Sequence, residues 1–566
     1  MFSVLKMSGV RLKILPEHET GNIIRNMQGE YMTEAGNNYS EKKTQLHISV
    51  RNLVEFIFRE GDIDNRSSRA MSADAMMEGT RIHRKIQGSM GKEYQAEVPL
   101  SLVVEGDLYE LTVEGRADGI FTEDGKCFVD EIKGMYRRVE LFEKPVFVHR
   151  AQAMCYAYIF ALQNNMETIG IQMTYCNLET EQTKYFREEF SFEEIKKWFD
   201  DLMEEYGKWA TFQCEIKNQR QTSIKELDFP FEYRPGQKKL VSDVYRTIMR
   251  QKLLFMQAPT GVGKTISTIF PAVKAVGEEL ADRIFYLTAK TITATVAKET
   301  FALLQKNGYR AKTIQITAKE KLCPCDEMEC NPVTCPYAKG HFDRVNDAVF
   351  DLLHRCEMIE RDDILSQADR YTVCPFELCL DTASWCDNII CDYNYVFDPN
   401  VYLKRFFQEG IKGDYIFLID EAHNMVERSR QMYSAQIYKE DFLTVKRIMK
   451  EHSHSIEKAL EKCNKILLGM KRECENYTVY DTFGNMVFSF MRLMTLLDEF
   501  LQKANEFPGK KDVMDFYFEL RNFLNIYDLV DEHYVMYSEL EADGRFMLKL
   551  FCVDPSLNIQ KRLDKG

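Results

Sequence analysis

The amino-acid sequence predicts a multidomain α/β protein, and three local patterns carry this prediction. A buried-strand pattern at 253–257 leads through a glycine-rich loop into a helical pattern, and a similar strand at 415–419 ends in two acidic residues. Nearer the N-terminus, Asp124-Gly125 separates two strand patterns and predicts a two-residue hairpin turn. Because 566 residues exceed what one hydrophobic core accommodates, we expect about three or four domains.

Composition narrows the class of protein. A content of 45% hydrophobic and 29% charged residues is ordinary for a soluble globular chain. No apolar run reaches the roughly 18 residues of a membrane span, and the N-terminus lacks a signal-peptide core, so we expect a cytoplasmic protein without membrane contact. The net charge of -14 argues against a purely electrostatic nucleic-acid binder, but not against an enzyme with a locally basic groove.

The glycine-rich loop 258–265 (APTGVGKT) predicts a nucleoside triphosphate site. Its glycines let backbone N–H groups turn toward phosphates, Lys264 would reach the β- and γ-phosphates, and Thr265 would hold Mg²⁺. The strict pattern has glycine where this chain has Ala258. A chance turn is the alternative, but the flanking strand and helix patterns argue against it. The other expected contacts are Thr260, Gly261, Val262 and Gly263.

The acidic motif Asp420-Glu421-Ala422-His423 follows the strand at 415–419. Asp420 would hold Mg²⁺, and Glu421 would orient and deprotonate the attacking water. A surface Asp-Glu pair is the alternative. It is disfavoured here because ligands bind at the carboxyl ends of strands in open α/β sheets, and both motifs lie at such ends.

Together these motifs resemble those of superfamily 2 helicases. The segments 233–237 (YRPGQ), 285–290 (FYLTAK) and 391–399 (CDYNYVFDP) look like further motifs of the XPD/DinG branch. The resemblance implies a RecA-like motor domain that uses ATP and Mg²⁺, moves 5′→3′ on single-stranded or forked DNA, and works as a monomer. It also implies nucleotide contacts from Arg234, Gln237 and His423.

A cluster of cysteines predicts a metal site, since nine of the sixteen fall between 323 and 391. Four thiolates can hold either Zn²⁺ or a 4Fe-4S cluster, and spacing alone does not decide between them. The settings of four of them resemble the iron–sulfur insert of the XPD/DinG family, which implies a 4Fe-4S cluster. Cys325 is an alternative to the first of these ligands. The four are Cys323, Cys330, Cys335 and Cys374.

The hairpin around Asp124-Gly125 brings acidic side chains together. Counting outward from the turn, Glu123 pairs with Lys126, Phe121 with Phe128 and Ile120 with Val129, so Asp118 should face Glu131. Lys133 lies two residues farther on the same face, whereas Asp130, a rival metal ligand, falls on the other face in this register. Such a patch suits metal-dependent phosphodiester cleavage, with Mg²⁺ or Mn²⁺ on Asp118 and Glu131. A solvated, salt-bridged face is the alternative.

This patch resembles the core of PD-(D/E)XK nucleases, in which a D…E-x-K set cleaves nucleic acid. Residues 79–83 (GTRIH) look like the upstream histidine motif of the RecB-like branch, which implies His83 as a metal ligand. Gln152 and Tyr156 look like its QxxxY helix, since i, i+4 spacing puts both side chains on one face. The cysteines at 127, 155, 176 and 214 do not have the spacing of a second cluster.

The expected fold class is therefore a PD-(D/E)XK nuclease fold followed by a RecA-like P-loop motor with two insertions. A polar stretch at Asn218–Asp228 is interpreted as the linker between them. The expected domains are a leader at 1–45, the nuclease-like domain at 46–217, the motor at 228–317, the iron–sulfur insert at 318–380, more of the motor at 381–429, a helical arch-like domain at 430–545, and a return to the motor at 546–566.

A superfamily 2 motor needs a second RecA-like domain with an arginine finger. No GRxxR-like motif follows residue 430, so the sequence resembles a truncated motor that binds ATP and DNA and unwinds little. Two alternatives stay open beside the helicase-nuclease interpretation. One is a DNA nuclease with a non-translocating ATP-binding clamp, and the other is a non-catalytic iron–sulfur module that binds DNA.

Overall fold

A computed structural model describes residues 43–65, 73–91, 93–135, 138–178, 180–259, 261–289, 291–408, 411, 413–504 and 507–565. Almost all of the expected leader, and the motif residue Thr260, lie outside the described residues. From Gln45 onward these residues form one compact unit. None of the described helices is long and apolar enough to cross a membrane.

The first part of the chain builds a six-stranded sheet with order β1-β3-β4-β5-β6, in which β2 pairs with β3. Strands β4 and β5 are parallel, and α3 connects them across one face. The elements are β1 (Thr44–Ser49), α1 (Val50–Ile57), α2 (Ala73–Ser89), β2 (Gln95–Glu105), β3 (Tyr109–Glu123), β4 (Lys126–Met135), α3 (Phe147–Gln163), β5 (Thr168–Asn177), β6 (Thr183–Ser191) and α4 (Phe192–Glu226).

The hairpin between β3 and β4 has the predicted turn and register. Asp124 and Gly125 both have positive φ, 50° and 76°, as a tight hairpin turn of this kind requires. The pairs Glu123–Lys126, Phe121–Phe128 and Ile120–Val129 form as expected, and the regular pairing ends at Gly119–Asp130. The alternating pattern therefore fixed which side chains share a face of this hairpin.

Helix α4 replaces the expected linker at 218–228. The helix begins with a capping box between Ser191 and Glu194 and runs unbroken for 35 residues to Glu226. Its polar residues suggested a linker, but Arg220 and Ile224 are buried near its end. The Arg220 guanidinium lies 2.5 Å from the Asp387 carboxylate and 3.1 Å from the Asp282 carbonyl oxygen. The helix thus connects the first sheet to the next part of the chain without a flexible joint.

A five-stranded parallel sheet with order β11-β7-β10-β8-β9 forms the second part. Strand β11 confirms the strand predicted at 415–419. The elements are α5 (Gln237–Met249), α6 (Lys264–Gly277), β7 (Arg283–Thr288), α7 (Thr291–Lys306), β8 (Thr313–Gln315), α8 (Lys319–Leu322), α9 (His341–Arg355), β9 (Met358–Ile359), α10 (Arg361–Tyr371), α11 (Pro375–Ala383), β10 (Asn388–Asp392), α12 (Asn394–Phe397), α13 (Lys404–Phe407) and β11 (Tyr415–Ile419).

The strand predicted at 253–257 was wrong, because these residues form no strand and are exposed. Leu253 is 57% exposed and Phe255 88% exposed. Among the described residues, β11 is the edge of the parallel sheet and no strand pairs with 253–257. An apolar run becomes a strand only where a neighbour supplies hydrogen-bond partners, and the described residues contain none for it.

The region expected to be a helical arch contains helices and an antiparallel sheet with order β12-β15-β14-β13. The helical prediction for 430–545 is confirmed for most of these residues, but strands β12, β13 and β14 also form within them. Strand β15 contains most of the apolar run expected to return to the motor, and it pairs with β12 and β14 instead. The elements are α14 (Met425–Met432), β12 (Ala435–Tyr438), α15 (Lys439–Met449), α16 (His454–Glu473), β13 (Tyr477–Tyr480), α17 (Asn485–Lys503), α18 (Lys510–Tyr527), β14 (Tyr534–Leu540), β15 (Phe546–Cys552) and α19 (Ser556–Leu563).

Candidate functional site

The phosphate loop has the conformation that its glycines predict. Gly261 and Gly263 have φ of 86° and 76°, and α6 begins at Lys264. A positive φ at both positions turns N–H groups away from the regular chain path, toward the space in front of the helix N-terminus. The loop therefore has the anion-binding form of its motif.

Two residues of the YRPGQ segment, Arg234 and Gln237, make hydrogen bonds to the backbone of this loop. The buried Gln237 side chain donates to the Val262 carbonyl oxygen (3.1 Å) and accepts from the Arg234 N–H (3.0 Å). The Arg234 guanidinium donates to the Gly261 carbonyl oxygen. In this structure both residues therefore brace the phosphate loop.

The acidic motif lies opposite the loop. The Lys264 ammonium is 3.8 Å from the Glu421 carboxylate, and the Asp420 N–H donates to the Leu287 carbonyl oxygen (2.9 Å) in the neighbouring strand. Burial and the charge of Glu421 raise the pKa of Asp420. Glu421 has φ of 51°, in the left-handed region that non-glycine residues seldom occupy, and His423 lies 3.3 Å from its carboxylate. The phosphate loop and the acidic motif therefore lie together, as a nucleoside triphosphate site requires.

Two residues near this site were not singled out from the sequence. The Tyr393 hydroxyl donates to the Asp420 carbonyl oxygen, and Arg428 donates to the Asp392 carboxylate at 2.9 Å. Tyr393 and Asp392 belong to the segment 391–399, whose likeness to a family motif was the available signal. Thr265 makes a side-chain hydrogen bond with Tyr286.

The second group of predicted residues converges beside the hairpin of the first sheet. Where regular β3–β4 pairing ends, the Asp118 carboxylate accepts the Ile132 N–H at 2.7 Å. Its other oxygen lies 3.5 Å from His83 Nδ1, on helix α2. Burial disfavours the imidazolium, but the hydrogen bond and charge of Asp118 prevail and raise the pKa of His83. His83 and Asp118, both expected as metal ligands, therefore lie next to each other.

Glu131 and Lys133 lie on the same face as predicted. The Lys133 ammonium is 2.6 Å from Glu131 Oε1 and donates to Gln152 Oε1 at 3.3 Å. Tyr156 makes a side-chain hydrogen bond with Gln152, and burial raises its pKa to about 12. Both residues of the QxxxY pattern thus face the acidic pair from helix α3.

Asp130 lies on the opposite face, as the register required. Its carboxylate accepts hydrogen bonds from Thr174 (2.6 Å), Tyr94 (2.9 Å) and Gln172 (3.2 Å). Burial outweighs these bonds and raises the pKa of Asp130. This carboxylate is fully engaged within the fold, so the competing assignment of Asp130 as a ligand is disfavoured.

Glu131 Oε2 is buried and has no hydrogen-bond partner. Burial, which outweighs the ion pair with Lys133, raises the pKa of Glu131 to about 8. A buried carboxylate without a partner is costly unless a cation compensates it. Two carboxylates and an imidazole are ligands that Mg²⁺ or Mn²⁺ accepts. Within the described part of the chain, no three such side chains are already close enough to one another to hold a metal ion.

The predicted thiols lie near one another in two groups, in the cysteine-rich loop between α8 and α9 and, for Cys374, at the start of α11. Cys325 Sγ lies 3.8 Å from Cys335 Sγ, and Cys323 also makes a side-chain hydrogen bond with Cys325. Cys330 makes a side-chain hydrogen bond with Lys319, and Cys374 lies close enough to interact with the charge of the same lysine. The donor set suits a thiolate-bound cluster, but the described thiols do not converge on one metal position. Residues 61–65 pack on this loop, where the Asn65 N–H donates to the Cys330 carbonyl oxygen at 2.9 Å.

Comparison with known proteins locates the family likeness in the second part of the chain. Residues 301–442 match the DEAD_2 family model. The rat protein "Regulator of telomere elongation helicase 1" is 20% identical over 35% of this chain and 19% of its own length. The yeast (Saccharomyces cerevisiae) "General transcription and DNA repair factor IIH helicase subunit XPD/RAD3" is 23% identical over 36% of this chain and 30% of its own. The chain thus spans less than a third of either relative.

A solved structure titled "Truncated XPD" shares 15% identity with the chain. The alignment covers 58% of this chain and 90% of that one, with a TM-score of 0.38. Over the matched residues, the chain is similar to XPD-like superfamily 2 helicases.

Proposed function

We propose that the chain is a DNA-processing enzyme in which a metal-dependent nuclease is joined to the motor part of an XPD-like, ATP-dependent DNA helicase that acts in repair or recombination. The orphan oxygen of Glu131, in a buried site that already holds Lys133 and lies beside Asp118, carries the nuclease half of the proposal. The relatives carry the helicase half, together with the contact between Lys264 and Glu421.

The nuclease site assigns a separate task to each residue. His83, Asp118 and Glu131 would hold Mg²⁺ or Mn²⁺, which supplies an activated water and a Lewis acid when bound. Lys133 faces the position where phosphate charge develops, and its positive charge would stabilise the transition state. Gln152 orients the Lys133 ammonium through the 3.3 Å hydrogen bond. Hydrolysis then adds water to phosphorus and breaks one P–O bond of the strand.

The nucleotide site follows the same logic with a triphosphate. Lys264 would neutralise the β- and γ-phosphates, and Thr265 and Asp420 would hold Mg²⁺. Glu421 would orient the attacking water, and its contact with Lys264 puts the base beside the cation that would bind the phosphates. Translocation would be 5′→3′ on single-stranded or forked DNA if the direction of the XPD/DinG family applies.

We further propose a 4Fe-4S cluster held by Cys330, Cys335 and Cys374, with Cys323 or Cys325 as the fourth ligand. The neighbouring thiols and the likeness to XPD-like helicases support it. Anaerobic purification with visible absorption and iron counting tests this part. A colourless, zinc-loaded protein would exclude the iron–sulfur cluster.

Single-turnover assays with Lys264→Ala and Lys133→Ala test the main proposal. Lys133→Ala should abolish cleavage of single-stranded DNA in the presence of Mn²⁺. Lys126→Ala, which changes an exposed lysine in β4, should leave cleavage in place. Lys264→Ala should abolish ATP hydrolysis and any stimulation of cleavage by ATP. Cleavage that ignores ATP and Lys264 altogether would favour the clamp-nuclease alternative, and a wild-type chain inactive in both assays would favour a non-catalytic DNA-binding module.

A further inference from the structure

Helix α3 carries a histidine on the face that bears the nuclease motif. His149 precedes Gln152 by three residues and Tyr156 by seven, so all three side chains lie along one side of the helix. Gln152 is itself bonded to Lys133. The helix therefore places an imidazole one turn from the lysine of the candidate site, at a position outside the motifs considered above.

Tyr175 fixes the orientation of this imidazole. It is paired with Lys133 across the parallel strands β4 and β5, so both side chains leave the same side of the sheet. The Tyr175 hydroxyl accepts the Val146 N–H at 2.9 Å and lies 3.2 Å from His149 Nδ1. Phe142 stacks on the Tyr175 ring at 5.2 Å between centroids. The tyrosine is thus held from three directions, and it holds the histidine.

The protonation of the pair follows from burial. Tyr175 is fully buried, so its hydroxyl hydrogen needs an acceptor, and His149 Nδ1 lies within bonding distance. Accepting at Nδ1 leaves the imidazole proton on Nε2. Burial, followed by the charges of Lys133 and Arg51, lowers the pKa of His149 to about 4, and burial raises that of Tyr175 to about 12. Both groups are therefore neutral near pH 7, and Nε2–H is a donor.

The imidazole of His149 lies near cations that are each paired with a carboxylate. Lys133 on β4 is paired with Glu131, and Arg51 on α1 is paired with the exposed Glu55. A neutral N–H donor at this position suits a phosphate oxygen, because it adds a hydrogen bond without adding charge to a site proposed to bind a divalent cation.

We propose that His149 is a further catalytic residue of the nuclease site, donating through Nε2–H to a non-bridging oxygen of the phosphodiester that Lys133 faces. The proposal rests on the proposed nuclease function and identifies how the substrate phosphate is held. Tyr175 is the positioning residue that keeps the donor aimed.

Two isosteric substitutions separate this role from simple packing. His149→Asn puts an amide where Nδ1 lies, keeping the partner of Tyr175 and losing the outward donor. His149→Gln puts an amide near Nε2, keeping a donor and losing the bond to Tyr175. Single-turnover cleavage of a single-stranded oligonucleotide with Mn²⁺ is measured for the wild type, both variants and Lys133→Ala, with thermal unfolding of each protein alongside.

We expect His149→Asn to lower the cleavage rate about 10- to 100-fold with an unchanged unfolding temperature, and His149→Gln to recover most of that loss. Wild-type rates for His149→Asn, or a larger loss in Gln than in Asn, would show that the histidine only supports Tyr175 and would overturn the proposal. If the wild type does not cleave, the nuclease function fails; if Lys133→Ala cleaves as fast as the wild type, the proposed nuclease site fails, and in either case the role of His149 fails with it.

Discussion

The Lys264 ammonium lies 3.8 Å from the carboxylate of Glu421, although 156 residues separate them in the chain. Helix α6 supplies the cation from its first residue, and β11 delivers the acid just beyond its last. The region between them contains the cysteine-rich loop and helices α9–α11, which is why the two residues are far apart in the sequence. They meet because α6 packs against the parallel sheet that contains β11.

Substitutions of Lys264 and Glu421 should have different effects on nucleotide affinity. Lys264→Ala removes a charge-assisted contact with the phosphates, so Mg-ATP affinity should fall about 10- to 100-fold. Glu421→Gln removes a negative charge beside the same phosphates and should leave affinity equal or higher. Titration with a fluorescent nucleotide measures both, and the exposed Lys239→Ala serves as the control. Equal affinities for Lys264→Ala and wild type would contradict the nucleotide site.

The raised pKa of Glu131 predicts how stability depends on pH without metal. The folded-state pKa is about 8 and the ordinary value is 4.5, so between these values the folded chain holds a proton that the unfolded chain has released. Stability should therefore fall as pH rises from about 5 to 8. Chemical denaturation across this range should show a smaller fall in the free energy of unfolding for Glu131→Gln than for the wild type. Mn²⁺ should restore the stability that the wild type loses at pH 8. A flat wild-type profile would contradict the assignment.

The buried pair Arg220–Asp387 should matter to the whole fold. Both side chains are at most 10% exposed, and Asp387 also accepts the Lys312 N–H at 2.8 Å. Asp387→Ala leaves a guanidinium buried without its partner and should lower the free energy of unfolding by about 3–5 kcal/mol. Asp543→Ala breaks an exposed ion pair with Arg545 and should change the free energy of unfolding far less. Equal effects of the two substitutions in urea denaturation would show that α4 is not anchored here.

Iron content should identify the first ligand of the proposed cluster. Cys325 Sγ contacts Cys335 Sγ at 3.8 Å, so we expect Cys325→Ser to lose more iron than Cys323→Ser. Cys356, in the same stretch of sequence but after α9, provides the control Cys356→Ser. Iron counting and visible absorption on anaerobic protein measure the order. The reverse order would restore Cys323 as the ligand.

The nuclease-like residues were predictable because their information is local. The turn at Asp124-Gly125 sets the register of the β3–β4 hairpin, and helical spacing sets the common face of Gln152 and Tyr156. The role of Tyr175 was not predictable, since it depends on β5 lying parallel to β4, which no short pattern states. His149 could have been noticed as a polar residue on the face of Gln152.

Errors arose where pairing is long-range. The apolar run at 253–257 looks like a strand, yet a strand needs neighbours, and none is present for it among the described residues. Strand β15 pairs within the third sheet, whereas α19 contacts the second part, through Arg562 donating to the Phe407 carbonyl oxygen at 2.9 Å. The polar sequence at the end of α4 did not indicate a buried helix, because Arg220 is buried only through its ion pair with Asp387.

The unbroken helix α4 works as a spacer of constant length. Thirty-five helical residues extend about 50 Å, and both ends are packed, the first against the nuclease-like sheet and the last against α6. In the proposed enzyme, the nuclease site and the nucleotide site would therefore stay at a constant separation. A DNA strand bound at both sites would span a fixed number of nucleotides between them, and the cleavage products would share one length.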